Sequence, residues 1–448
     1  MGKEDLISKE MLGKFTQDFK ANPQYRVIMN AIIKNGIDSS AINQKSLVKM
    51  QYTFSNEMKI DKITNQKQSG RCWLFAGLNV LRQKVIEKNN LKDFELSQNY
   101  QMFWDKLEKA NYFLDNILET AKEKINSRII MWLLSNPLGD GGQWDMFLNL
   151  IEKYGVVPKY VMPETFHSSQ SARMNQLLTV KLREDAAILR ESFHKGEKIE
   201  RLRSKKETML REIHRMLCCF LGEPPEKFDF EYRDKDKKFH RDRNLTPIDF
   251  FQKYVDTNIH DYVSIINAPT KDKPFEKTYT VKYLGNVKGG KDVLYLNVDI
   301  ETLKSLAVSQ LKEHELVWFG CDVGKMMDRD SGIMDTNLYN FDLALDTSFN
   351  MTKAERLDYG ESRMTHAMVF TGINLVDGKP NRWKVENSWG DKKGEKGFFI
   401  MSNPWFDEFM YQIVINKKYL SDKLQQALEE KPIELSPWDP MGSLALMK

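Results

Sequence analysis

The chain reads as an α+β protein, with its helices gathered early and most of its strands late. Three observations carry that reading. Between residues 61 and 175 apolar side chains recur three and four apart, the period of a helix face. Between 313 and 430 they alternate or run in short blocks punctuated by Gly, Asp and Lys, as strands do. At 448 residues the chain exceeds one ordinary core, so two or three domains are expected.

Residues 1–60 mix polar and apolar positions without a sustained period and are expected to form an N-terminal arm with short helices. Residues 61–175 form a helical lobe. Leu74, Leu78, Leu81 and Val85 share one face of a helix ending at Asn89-Asn90, and Ser97 is placed to cap a second. Met146, Phe147, Leu150 and Ile151 share the face of a third, stopped by Gly155.

Residues 176–312 are expected to be an inserted helical and hairpin domain. Leu178, Leu182, Ala186, Leu189 and Phe193 mark one amphipathic helix, and Leu202, Met209, Ile213, Leu217 and Phe220 another. The run KTYTVKYLGNVKGGKDVLYLNVDI follows as two β-rich stretches joined through Gly289-Gly290. Residues 313–430 form the β-rich lobe, with ELVWFGCDVG, THAMVFTGINL, RWKVENSW and GFFIMS as strands. Residues 431–448, with three prolines, are expected to be an extended C-terminal arm.

Composition narrows the classes. The 67 basic and 63 acidic side chains leave a net charge of +4, which gives no strong footprint for nucleic acid or an anionic membrane. The section 181–250 holds 18 basic and 15 acidic residues, a solvated helical face in the simplest reading. Within 201–215 there are six basic against two acidic, so Lys205, Lys206, Arg211 and Arg215 could meet a polyanion, though only weakly. The N-terminus lacks the apolar core of a secretory signal, and no apolar run approaches the roughly 18–20 residues that span a bilayer. Four cysteines, Cys72, Cys218, Cys219 and Cys321, make neither a disulfide framework nor metal-ligand spacing. A cytoplasmic protein without metal or cofactor is expected.

The chemistry centres on NQKQSGRCWLFA. A thiol acts as a nucleophile in its thiolate form, and a helix N-terminus or an imidazolium lowers its pKa from about 8.5. Cys72 stands where the helical pattern begins, with unpaired N–H groups aimed at its sulfur. Those groups also suit an oxyanion, and Gln66, across the Ser-Gly turn, is placed to add a side-chain donor. Read alone, the segment serves a buried, inert cysteine equally well.

A second segment favours chemistry. In RMTHAMVFTGIN, His366 opens an apolar strand, and WKVENSWG follows with Asn387, Ser388, Trp389 and Gly390. A general base needs its second ring nitrogen held so that the correct tautomer meets the thiol, and an asparagine carbonyl does this without added charge. The 21 residues from His366 to Asn387 suit neighbouring strands joined by the DGKPN turn.

NQKQSGRCW, THAMVFTGIN and WKVENSWG together resemble the glutamine, cysteine, histidine and asparagine blocks of papain-like cysteine peptidases. Over its whole length the chain resembles the bleomycin hydrolase and bacterial aminopeptidase C family within that class. The resemblance implies a papain-like two-lobe fold, one helical and one barrel-like, with a large insertion. It makes Cys72 the nucleophile, His366 the acid and base, Asn387 its orienter and Gln66 an oxyanion donor. Trp389 would shield the His–Asn bond, and Gly142, in the GDGGQW loop, would bind substrate backbone. It further implies peptide substrates, a homohexamer, and a C-terminal arm in the cleft whose terminal carboxylate admits only free N-termini.

The sequence departs from that pattern in three places. Secreted relatives carry Cys-Gly-Ser-Cys-Trp where this chain has Ser69-Gly70-Arg71-Cys72-Trp73, so the usual disulfide partner is absent. His366 lies 294 residues after Cys72, against about 130–150 in the papain pattern, and the insertion takes up the surplus. Family tails commonly stop three residues after Met-Gly, at the position of Ala445, whereas this chain continues with Leu446, Met447 and Lys448. Those three are either an inert extension or a plug trimmed away by Cys72. An endopeptidase would share the catalytic residues and differ at the tail.

Overall fold

The computed structural model describes residues 6–446; of the tail residues singled out above, Met447 and Lys448 lie outside the described residues. The arm begins with two helices, Lys9–Ala21, capped by Ser8, and Pro23–Asn35, opened by a proline. Neither buries a residue, and Leu12, Phe15, Val27 and Ile33 face outward.

The central helix is Cys72–Lys88. Leu74, Phe75, Leu78, Leu81 and Val85 are all buried, together with Trp73 and Ala76 on its other sides, because it is enclosed by the other helices and the sheet. Helix Gln98–Glu119 starts where Ser97 Oγ accepts the Tyr100 N–H at 3.1 Å. Helix Trp144–Tyr154 ends at Gly155, whose φ of 67° and crowding against the Pro247 backbone exclude a side chain. Two long helices, Ala172–His194 and Ile199–Leu221, pack on one another and on Gln98–Glu119. The basic residues of 201–215 are largely neutralised there: Lys205 pairs with Glu197, Lys206 with Asp115 and Arg211 with Glu207.

A twelve-stranded mixed sheet forms the other half. Its order is Ile433–Leu435, Lys277–Val281, Tyr295–Asn297, Tyr262–Ile266, Met410–Asn416, Val317–Cys321, His366–Val376, Lys379–Glu386, Phe398–Ser402, Ile333–Met334 and Met327–Asp328, with Asn56–Glu57 pairing His366–Val376 off that path. The expected α+β class holds, and within 176–312 the chain changes layer at Tyr262. Helices and the small Phe228–Arg233/Phe239–Leu245 ribbon stay outside the main sheet. From Tyr262 onward the chain joins it, since Tyr262–Ile266 pairs with Met410–Asn416 and so belongs to the same layer as the β-rich lobe. The two expected β runs do pair, Lys277–Val281 antiparallel to Tyr295–Asn297, across a long loop.

The C-terminal arm is extended only at its start. Ile433–Leu435 adds a parallel edge strand, and Pro440–Leu446 then winds into 3₁₀ turns, because Met441 and Leu444 are drawn into the core. No helix among the described residues is long and apolar enough to cross a membrane.

Candidate active site

The turn before Cys72 is held from several sides. Asp140, fully buried, accepts the Gly70 N–H at 2.9 Å, Asn175 Nδ2 at 2.8 Å, Lys106 Nζ at 2.7 Å and the Ser171 hydroxyl. Its carbonyl oxygen takes the Trp73 indole N–H at 2.7 Å. Burial opposes ionisation of Asp140, but Lys106, Ser171 and Asn175 outweigh it and hold the carboxyl well below the usual range. Next along the turn, buried Arg71 makes a two-pronged pair with Glu164 at 3.1 and 2.7 Å. These contacts join residues 31 to 93 positions apart, and no local pattern announces them.

Cys72 is the first residue of its helix and almost fully buried. The backbone N–H groups of Ala367, Trp73 and Cys72 itself favour a thiolate, yet burial dominates and pushes the thiol up to about 11. Burial thus works against the depression that a helix start alone would give. Contact with the Ala367 N–H puts the sulfur beside His366, which opens the strand His366–Val376.

His366 Nε2 lies 2.9 Å from Asn387 Oδ1. That oxygen also accepts the Ser388 N–H at 2.7 Å, so it is the acceptor, Nε2 carries the proton, and Nδ1 keeps the lone pair. Burial pushes the imidazole down to about 4; the Asn387 hydrogen bond works against this, and the Arg329 charge works with it. Trp389 covers the ring, with centroids 4.9 Å apart. The strand Lys379–Glu386 that delivers Asn387 is locked to the Cys72 helix, since Glu386 accepts Arg82 at 2.7 Å and Asn79 at 3.0 Å.

Gln66 accepts the Ser388 hydroxyl at 2.6 Å through Oε1, and its Nε2 donates to Ser69 O at 2.6 Å, leaving a second amide hydrogen. Gln66, Cys72, His366 and Trp389 line one cleft of about 510 Å³, together with Ser171 and Asp322. Gly142 does not line it. That residue is buried over Trp73, where a Cβ would sit 2.5 Å from the indole, so close packing accounts for the glycine. Ala445 is half-buried and lines a different, smaller cavity with Lys109 and Trp132. The tail nonetheless bridges the lobes: Tyr295 and Gln143 donate to Met441 O at 3.1 and 3.4 Å, and Ser443 Oγ donates to Met364 O at 2.8 Å.

Asp140, Lys106, Arg71, Glu164 and Glu386 were not anticipated from the sequence. The nearest signal was the acidic residue inside GDGGQW, adjacent to the glycines that were singled out. Among the described residues no three His, Cys, Asp or Glu side chains gather to hold a metal ion.

Comparison with known proteins identifies the family. A model of the Peptidase C1-like family matches residues 6–442. Aminopeptidase C of Listeria monocytogenes serovar 1/2a is 53% identical over 440 residues, covering 98% of this chain and 99% of the relative. Aminopeptidase C of Streptococcus thermophilus is 50% identical at the same coverage. Among solved structures, PepW from Lactobacillus rhamnosis HN001 superposes with a TM-score of 0.97 at 55% identity, over 98% of this chain and 99% of that one.

Proposed function

Because the chain belongs to the Peptidase C1-like family and is a cysteine aminopeptidase, we propose that Cys72, His366, Asn387 and Gln66 release N-terminal residues from peptides of broad sequence through a thioester intermediate. The observation that carries this is the His366–Asn387 hydrogen bond in a cleft shared with a cysteine at a helix start.

Sγ attacks the carbonyl carbon of the first peptide bond while His366 Nδ1 takes the thiol proton. The resulting oxyanion is received by the free Gln66 amide hydrogen and the Cys72 N–H. Collapse expels the leaving amine, which takes the proton from His366, and leaves a thioester on Cys72. Water, deprotonated by the same nitrogen, then frees the amino acid and restores the thiol. Forming Sγ anionic only as the proton leaves suits a site whose burial disfavours both resting charges. Trp389 keeps water from competing for the His–Asn bond.

The arm is the part that selects free N-termini. Its contacts with Gln143, Tyr295 and Met364 support a tail that closes one end of the cleft and turns its carboxylate to the substrate's α-ammonium. Trimming at Leu446–Lys448 would leave that carboxylate at or near Ala445. Exposed Leu12, Phe15, Val27 and Ile33 on the N-terminal helices support assembly, in the family's homohexameric form. Four free thiols support a reducing cytoplasm.

The test is hydrolysis of paired aminoacyl and N-blocked peptidyl amides by the wild type and by a chain lacking 442–448. Wild type is expected to cleave only the first kind, and the truncated chain to lose rate on it and gain the second. A truncation that keeps its demand for a free amine removes the arm from specificity. Cleavage of N-blocked substrates by the wild type makes the protein an endopeptidase.

A further inference from the structure

Beside Trp389, which lines the cleft, stands a cation that the mechanism above does not use. Arg329 is exposed, and its guanidinium carbon lies 4.5 Å from the centroid of Trp389. The other ring contact of Trp389, at 4.9 Å, is His366 itself. Arg329 is close enough for its charge to act on the His366 imidazole. Nearby charges are already engaged. Lys325 pairs with Glu361 at 2.6 Å, and Lys393 pairs with Asp330. Asp322, in the cleft wall, accepts the Ser362 and Thr365 hydroxyls at 2.9 and 3.1 Å. Among the described residues no carboxylate lies within ion-pair distance of Arg329.

A guanidinium on an aromatic face offers a rigid fork that matches a carboxylate with two parallel hydrogen bonds. If the tail, held by Gln143 and Tyr295, closes one end of the cleft as proposed above, the leaving peptide extends the other way, past Trp389, which lines the cleft. An extended peptide advances about 3.3–3.6 Å per residue. Two ring contacts between base and cation therefore match a carboxylate one or two residues beyond the scissile bond. We propose that Arg329 is a specificity residue that receives the free α-carboxylate of a short leaving group, making di- and tripeptides the preferred substrate class. The proposal rests on the aminopeptidase reading and adds the other end of the substrate to it.

The experiment compares Leu-Gly and Leu-Gly-Gly with their C-terminal amides. In the wild type kcat/KM should favour the acids by about two- to fivefold, the scale of one exposed charge pair. The preference should lie in KM and shrink at high salt. Arg329→Gln should bring the acid-to-amide ratio to about one, Arg329→Lys should keep part of it, and Arg329→Glu should invert it. A wild-type ratio near one, or a ratio unchanged in Arg329→Gln, overturns the proposal. Amide turnover by the wild type in the same series reports on the aminopeptidase reading separately, and a protein that cleaves neither form overturns both.

Discussion

The helix start at Cys72 and the strand end at Cys321 are neighbouring regions that treat the same side chain differently. Both thiols are free and buried, and burial pushes both up, to about 11 at Cys72 and well above its ordinary value at Cys321. Cys321 closes the strand Val317–Cys321 and pairs in register with His366, so its backbone is taken up by the sheet. Among the described residues no backbone donor favours its thiolate, and the charges of Asp322 and Cys72 disfavour it further. Cys72 has three backbone N–H groups beside its sulfur and opens onto the cleft. Burial is common to the two. Unpaired helix-end donors, access and a base distinguish the nucleophile.

The largest expected effect follows directly. Cys72→Ser should lower peptide hydrolysis by about 10⁴-fold or more, as losing a nucleophile does. Cys321→Ser should leave turnover within a few-fold of wild type and instead cost about 1–3 kcal/mol of stability, because a hydroxyl is buried without a partner. Steady-state rates and urea unfolding on the two variants measure this. Equal losses of rate would erase the distinction drawn above.

A second experiment asks whether the Cys72 region owes its shape to the Asp140 cluster. Asp140→Asn leaves Lys106 buried without its ion-pair partner and should destabilise the fold by about 3–5 kcal/mol. Adding Lys106→Met should recover part of that loss. Carboxyls held below their ordinary pKa contribute stability above that value and lose it as pH falls through the folded one. The deficit of Asp140→Asn should therefore persist from neutral pH down to strongly acidic solution. A single variant as stable as wild type would mean that Asp140 is not a clamp.

The smallest effect concerns the base. With the thiol raised, the thiolate fraction falls about tenfold for each pH unit below about 11. In His366→Ala no acceptor stands beside the sulfur, so alkylation by a small neutral reagent should climb with that slope from pH 6 to 10. Wild type should react faster at pH 7, roughly tenfold or more, because Nδ1 shares the proton. Matching profiles would remove His366 as the thiol's partner.

The signals legible in the sequence were local or carried by short motifs. Ser97 caps its helix and Gly155 stops another because each acts on backbone within a turn. The His366–Asn387 bond was visible because two adjacent strands bring their ends together across a short turn. Four motif blocks were enough to nominate Cys72, His366, Asn387 and Gln66. Other features depend on which segments meet. Tyr262–Ile266 joined the main sheet because an edge was free beside Met410–Asn416, and its sequence cannot name that partner. Asp140 reads as one acidic residue in a glycine loop until Gly70, Lys106, Ser171 and Asn175 converge on it. Arg329 acquires meaning only from Trp389, sixty positions further along the chain. The thiol's high pKa is likewise a tertiary result, since the amides that oppose it were predictable from a helix start, and the burial that outweighs them was not. Chemistry that needs particular atoms is written into the residues. The dielectric around those atoms, and the charges that hold them in place, come from parts of the chain that meet only on folding.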